Sequence, residues 1–419
     1  MSHSLDGFTP SKIEYPESLD QLSTALASAH AGGDSVIPRG GGTRICIGNI
    51  PTGYDTALDL SQFKGEIEHE PGDMTVVANA GVTIATLNDL LAKEGQRLPF
   101  EVRNPDTATV GGSVASNAPG HRQSSTGGIR DWVIGMQTVL ADGTVTKSGG
   151  RVVKNVQGYE MHRLNTGAFG TLGIVSQAAF KLLPLPPEQQ TVVMWFDNQE
   201  SAQDVGLSLV NGLFMPEATS LISGALANKS VAASGESPPD SETWTLLVRL
   251  GGGVRSIERQ VNEVVGAAGA NSATGYAVLS EAGASAAWSS LDDAETIANL
   301  SVRMTSLPVA TMNAAQSIRS VTSGSAGSDV STICDLGFGA LTVLASDASE
   351  SSQVDLTKSI VSEIKKHPAS YVIEKCDLSV KRSMDVFSDV GSSLDLMKRI
   401  KNQYDPTNTL NPGRFAGKI

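Results

Sequence analysis

The sequence predicts a mixed α+β fold in two domains, and three observations carry that expectation. Short strand-like apolar runs alternate with helix-like periodic segments as far as about residue 185. A proline-rich stretch, LLPLPPE, then closes the first half, and strand–helix alternation resumes beyond it with few aromatics. Glycine is concentrated in three clusters of the first half, where backbone rather than side chain is on offer.

In order along the chain, YPESLDQLSTALASAHAGGDSVIP reads as a turn, a helix, a glycine stop and a strand. Ser18 caps the helix, Gly32 and Gly33 end it, and Leu19, Leu22, Ala25, Leu26 and Ala29 form one face. ALDLS and MTVVANAGV read as short buried strands, and TIATLNDLLAKEGQ as a helix capped by Thr83 and stopped at Gly95. VLADGTVTKSG is a hairpin turning at Asp142 and Gly143. In the second half EQQTVVMWFD and ETWTLLVRLGG read as strands, while SIERQVNEVVGAAG and DLTKSIVSEIKKH read as amphipathic helices with charged outer faces. That grammar suits an antiparallel sheet backed by helices.

Composition narrows the functions. The chain has 419 residues and a formal net charge of 31 − 44 = −13, which argues against a general nucleic-acid binder. Local cations such as Arg39 and Arg44 still set the field inside a pocket. Cys46, Cys334 and Cys376 are odd in number and scattered, without disulfide or iron–sulfur spacing, which fits a reducing compartment. Cys46 reads as a small buried residue. MSHSLDGFTPSKIEYP lacks the basic and apolar regions of a signal peptide, and no long apolar run suggests a membrane span. The expectation is a soluble, cytoplasmic protein.

The glycine clusters are RGGGT at 39–43, TVGGSVASNAPG at 109–120 and GAFGTLGIV at 167–175. None matches G-x-G-x-x-G, and no G-x-x-x-x-G-K-[ST] occurs. Each is compatible with a structural turn. Each is equally compatible with an anion-binding nest, in which free N–H groups face a phosphate and missing Cβ atoms let it approach. Gly111 and Gly112 open a run of small residues that a helix start lying against a pyrophosphate needs.

Together IPRGGGT, TVGGSVASNAPG, IRDWVIGMQTVLADGTV and GTLGIVSQAAFKLLP resemble the flavin-binding half of the vanillyl-alcohol-oxidase family, the FAD-binding PCMH type. GGRVVKNVQGYEMHRLNTGAFGTLG is similar to the branch of that family formed by E subunits of bacterial glycolate oxidase, and YDPTNTLNPGRF resembles the family's closing segment. The resemblance implies a two-subdomain FAD-binding domain over 1–186, an α+β cap with an antiparallel sheet over 187–390, and a segment over 391–419 that returns to the flavin. It implies that Arg39, Gly40, Gly41, Gly42 and Thr43 wrap the FAD pyrophosphate. Thr109, Gly111, Gly112, Ser113, Ser116 and Asn117 would line the pyrophosphate and ribityl path, and Gly173, Ile174 and Val175 the adenine end. Thr43 stands where covalent members carry His, so FAD is expected to be non-covalent. On this reading Gly41→Val strips the flavin and leaves the protein folded.

Oxidising a 2-hydroxy acid requires a hydride acceptor, a cation for the carboxylate and a base for the hydroxyl proton. His30 and His69 read as structural or surface residues, and His162 as a backbone hydrogen-bonder. His121, just past Gly120, is the positional candidate for a catalytic base. Lys154 and Tyr159 belong either to a solvated loop or beside the flavin ring, where a cation stabilises the reduced, anionic form. Asn411 and Arg414 flank an ordinary Pro412-Gly413 turn, or cap the isoalloxazine as the resemblance implies. Arg130 and Asp131 read as an ion pair. Self-sufficient relatives carry a metal-binding G-D-G-N-x-H-type motif that this sequence lacks, so no metal is expected. The resemblance therefore implies an FAD-binding subunit of a glycolate oxidase-like 2-hydroxy-acid dehydrogenase complex, with a homologous D-type FAD subunit and an iron–sulfur subunit as partners. The alternatives are a self-contained FAD-linked oxidase or dehydrogenase of an alcohol, aldehyde or 2-hydroxy acid, and a flavin-free scaffold.

Overall fold

The structure is a computed structural model that describes residues 3–151, 158–238, 243–271, 273–322, 329–346 and 348–419. The chain divides into two compact units. The first comprises Met1–Gly120, Gly128–Leu185 and Asp385–Ile419; the second comprises His121–Gly127 and Pro186–Met384.

The first unit opens with the helix Leu19–Gly32. Ser18 caps it by accepting from the Gln21 N–H, and Gly33 ends it in the left-handed region at φ 74°. Leu22 and Leu26 on its inner face are fully buried, each stabilising the fold by about 1.5–3 kcal/mol. They pack with Val36, Leu58, Leu60, Ala80, Val139 and Ile174. The strands Lys12–Glu14 and Val36–Arg39 pair in parallel on either side of Thr56–Asp59. The rest of the unit is built on a five-stranded antiparallel sheet in the order Glu68–Glu70, Thr75–Asn79, Ile174–Lys181, Val133–Val139, Val145–Gly149. Its core includes Leu87, Leu91, Phe100 and Phe180, with the two phenyl rings 5.4 Å apart. The helix Ile84–Ala92 is capped by Thr83, and the hairpin turns at Gly143 with φ 85°. The mixed α+β expectation is met.

The second unit is an eight-stranded sheet in which every pair is antiparallel. Glu188–Phe196, Trp244–Gly252, Ala218–Ser223 and Asp329–Asp335 are neighbours in its middle. Helices Ala225–Ala233 and Glu281–Ile297 supply Leu226, Ala227, Val231, Ala287 and Leu291 to a core with Val193, Leu247, Ile222 and Leu344. The short segment His121–Gly127 joins this unit through hydrogen bonds: Ser125 Oγ donates to the Glu217 carbonyl at 2.8 Å, and Arg303 Nη2 to Gln123 Oε1 at 2.6 Å.

Candidate functional site

A cleft lies within the first unit. The strand Val36–Arg39 delivers residues 38–45 to one wall. The helix Val110–Ser116 gives Gly111, Gly112, Ala115 and Ser116. Phe169, Gly170, Ile174 and Val175 add the third glycine cluster, and Asn411 and Arg414 come from the C-terminal segment. Arg39, Arg44 and Arg414 all line the cleft, and among the described residues no carboxylate does. In a chain of net charge −13, this cavity favours an anion. Tyr54 reports the same field: burial pushes its phenol up, while Arg39 and Arg414 pull it back.

The glycines do two different jobs. A Cβ on Gly41 would collide with the Thr107 carbonyl, one on Gly40 with the Thr109 hydroxyl, and one on Gly111 would come within 2.6 Å of the Ala80 methyl. These three are required by protein against protein. Gly42 is left-handed at φ 76°, and the Arg39 guanidinium lies where its side chain would begin, 2.6 Å from the ideal Cβ position. Gly112 is the least crowded of the five: its Cβ would meet one side-chain atom, the Thr109 hydroxyl, at 3.3 Å. Gly41→Val therefore disrupts the wall itself and does not test ligand binding cleanly, which corrects the sequence expectation. Thr109 caps the helix by accepting from the Gly112 N–H at 3.3 Å, so that amide already has an acceptor.

The C-terminal segment is welded to the glycine loop. Leu410 bridges Val36 in parallel; the Val36 N–H donates to the Thr409 carbonyl at 2.7 Å and the Asn411 N–H to the Val36 carbonyl at 2.8 Å. Asp405 organises the turn by accepting from the Thr409 and Leu410 N–H groups at 2.9 and 2.7 Å. Lys401 binds Asp405 at 2.6 Å and also donates to the Thr171 and Leu410 carbonyls. Burial pushes the Lys401 ammonium down and Asp405 draws it back up. The D-P-x-x-x-x-N-P-G-R pattern is thus, in its first half, a folded clasp on the strand that leads into the glycine loop.

Of the residues expected at a cofactor, Arg39, Gly40, Gly41, Gly42, Thr43, Thr109, Gly111, Gly112, Ser116, Ile174, Val175 and Asn411 are brought together in the cleft wall. Ser113, Asn117 and Gly173 are not among the lining residues. Ser113 is buried, and Asn117 ends the helix in the left-handed region while its side-chain Oδ1 accepts from the Arg130 N–H at 3.3 Å. Of the catalytic candidates only Arg414 joins the cleft. Lys154 lies outside the described residues. Tyr159 is 89% exposed, and its main-chain carbonyl accepts from Ser148. His121 belongs to the second unit, where it pairs with Asp292 at 3.1 Å and packs 5.0 Å from the Trp288 ring. Ile45, Ile47, Leu60, Ala80 and Phe169 line the cleft unforeseen. The signal for Phe169 was its place between two glycines, since it sits at φ 53° in a tight turn.

Three further expectations are corrected or refined. Cys46 is exposed, because the turns closed by Ile45 N–H to Gly42 and Ile47 N–H to Arg44 turn the isoleucines inward and the thiol out. Asp131 does not pair with Arg130; it accepts from the Gly128 N–H at 2.9 Å at the start of Ile129–Trp132. His162 is buried, with Nδ1 3.2 Å from the Ser148 hydroxyl, and burial pushes its imidazole down.

Several ionisable groups of the second unit have partners within that unit. Besides His121 and Asp292, Arg249 stacks 4.3 Å over Trp288 and Arg122 faces Glu217 at 3.5 Å. Asp335 accepts from the Gly337 and Phe338 N–H groups at 3.1 Å. Burial still pushes its carboxyl up to about 6, against the pull of Arg303 and His121.

Comparison with known proteins agrees with this geometry. The family model described as "FAD binding domain" matches residues 10–149, and that described as "FAD linked oxidases, C-terminal domain" matches 185–308 and 389–415. The glycolate oxidase subunit GlcD of Bacillus subtilis is 28% identical over 257 residues, covering 61% of this chain and 54% of that protein. The glycolate oxidase subunit GlcE of Escherichia coli is 29% identical over 188 residues, covering 45% and 52%. The chain thus spans about half the length of these curated relatives. The crystal structure of p-cresol methylhydroxylase with substrate bound shares the fold at a TM-score of 0.73 and 16% identity, over 96% of this chain and 88% of that one. The residues present fit FAD: three arginines meet a diphosphate's charge, Gly112 leaves the cleft open where a side chain would fill it, and the buried Arg414 Nε has no hydrogen-bond acceptor in the protein. The chain belongs to the FAD-linked oxidases of the PCMH (vanillyl-alcohol-oxidase) family, with FAD as its cofactor.

Proposed function

We propose that this protein is an FAD-dependent oxidoreductase acting on the CH–OH group of a small 2-hydroxy acid, working as one subunit of a glycolate oxidase-like dehydrogenase complex. The observation that carries the reading is the glycine-walled cleft with three arginines and no carboxylate among its described lining residues. Bound there, FAD supplies the hydride acceptor. Arg39, folded over Gly42, and Arg44 hold negative charge at the glycine loop. Ile45, Ile47, Leu60 and Phe169 make the remaining wall apolar and keep water from it. Thr43 offers no imidazole for attachment, which supports non-covalent binding.

The similarity to subunits named GlcD and GlcE supports a complex; a homologous D-type FAD subunit and an iron–sulfur subunit are the partners proposed for it. No helix among the described residues is long and apolar enough to cross a membrane. The second reading is a self-contained FAD-linked oxidase or dehydrogenase, and one experiment separates the two. The purified chain is tested for visible flavin absorption and then titrated anaerobically with glycolate and D-lactate. Bound flavin that bleaches with the chain alone supports the self-contained enzyme. Bound flavin that bleaches only after co-purification with both partners supports the subunit. A colourless protein that FAD does not reconstitute overturns both.

A further inference from the structure

We infer that residues 405–415 form a latch whose docking is coupled to cofactor binding, with Arg414 as its positioning residue. The inference rests on the FAD reading above. Four observations support it. Asn411 and Arg414 are part of the cleft wall although they lie far along the chain from its other residues. The segment touches two of the three other components of that wall. It reaches the stretch after the glycine loop through Thr52 N–H to the Pro412 carbonyl and Asn49 N–H to the Arg414 carbonyl, each 2.9 Å. It reaches the third glycine cluster through Asn411 Nδ2, which donates to the Phe169 carbonyl.

Arg414 is 4% exposed, and its hydrogen bonds go only to neutral oxygens. Nη1 donates to Asn411 Oδ1 at 3.1 Å, and Nη2 to the Ile45 and Ile47 carbonyls. Nε has no acceptor. A buried cation without a bonded anion costs free energy, and here Asp6, Cys46 and Tyr54 act only through the longer-range field. Finally, Asn408, Asn411 and Gly413 all hold positive φ, at 55°, 47° and 80°; for the two asparagines this strained backbone persists only while surrounding contacts enforce it.

An anion entering the cleft offsets the cost of burying Arg414, so the docked latch binds cofactor more tightly than the undocked one. By linkage the cofactor must then favour docking by the same factor. The anion is either the FAD diphosphate or the reduced flavin ring, and the two differ in what mimics them.

The test is hydrogen exchange of the 405–415 amides in the full chain freed of flavin, then with FAD, with ADP, and with FAD reduced by dithionite. FAD should slow these amides at least tenfold while the amides of the second unit are unmoved. Slowing by ADP alone identifies the diphosphate as the source; slowing that appears only on reduction identifies the ring. Arg414→Lys and Arg414→Gln should weaken FAD tenfold or more and shrink the ratio of bound to free exchange rates. A merely structural arginine changes both rates together and leaves that ratio intact. If the wild-type chain does not survive flavin removal, Gly112→Leu supplies the flavin-free state. Latch amides that exchange equally fast without FAD and with bound FAD, oxidised or reduced, overturn the inference and leave the FAD reading standing, whereas absence of any flavin binding overturns the FAD reading first.

Discussion

The two units place their charges differently. In the second, His121 is committed to Asp292, Arg249 to the face of Trp288 and Arg122 to Glu217. In the first, three arginines line one cleft whose described residues include no carboxylate, and the glycines around them present backbone. A concentration of one sign on the wall of a cleft favours a counter-charge from outside. The contrast locates ligand chemistry better than counting histidines does.

The comparison is broken most severely at Gly112. Gly112→Leu projects a side chain into the open cleft and is expected to weaken FAD at least about a hundredfold, roughly 2.7 kcal/mol, with the circular dichroism of the fold unchanged. Gly41→Ala should do the reverse: its Cβ meets the Thr107 carbonyl, so the denaturation midpoint falls, by more than about 2 kcal/mol in stability. Equal effects of the two substitutions on flavin content and on unfolding would remove the distinction between wall-packing and ligand-facing glycines.

Next in size are the arginines. Arg39→Met should raise the FAD dissociation constant by about ten- to a hundredfold, the range for a charge-assisted hydrogen bond. Arg249→Met in the second unit should leave it unaltered. Fluorescence titration of flavin-free protein measures both.

Asp335 sharpens the contrast through pH. Its folded pKa, about 6, stands above the ordinary 3.8, so the folded state binds the proton more tightly. Stability therefore rises as pH falls from 6 towards 4, and the ionised carboxyl costs stability at pH 7. Asp335→Asn should raise the urea midpoint at pH 7, by no more than about 3 kcal/mol in stability, and have little effect at pH 4. His162 has the opposite sign. Burial lowers its folded pKa below 6.5, so the unfolded state takes up the proton first and stability drops as pH falls through 6.5. The loss is at most about 1.4 kcal/mol per pH unit, and His162→Gln should flatten that slope in urea titrations.

Much of this was legible in sequence. Glycine clusters, a capped helix and a turn at Asp142-Gly143 are local signals, set by backbone conformations that few residues adopt. The cleft residues that went unread, Ile45, Ile47, Leu60, Ala80 and Phe169, are apolar and carry no chemical motif; strand pairing and a left-handed turn bring them to one wall. The fate of Cys46 depended on a turn geometry that its residue type does not encode. His121 is not among the cleft residues for a different reason: the chain leaves the first unit at Gly120 and returns at Gly128, and proximity in sequence to Gly120 says nothing of that detour.

The parallel bridge between Val36 and Leu410 also orders events during synthesis. The strand that carries the glycine loop is made early, yet the wall it belongs to waits for residues 409–414. At about 5–20 residues per second, the ribosome needs roughly 20–70 s to travel from one to the other, and it delivers the whole second unit in between. Until then the first unit presents a half-built cleft with an unpaired strand edge at Val36. Cofactor capture is therefore expected to be a post-translational event, and the interval is when this chain most needs protection from aggregation.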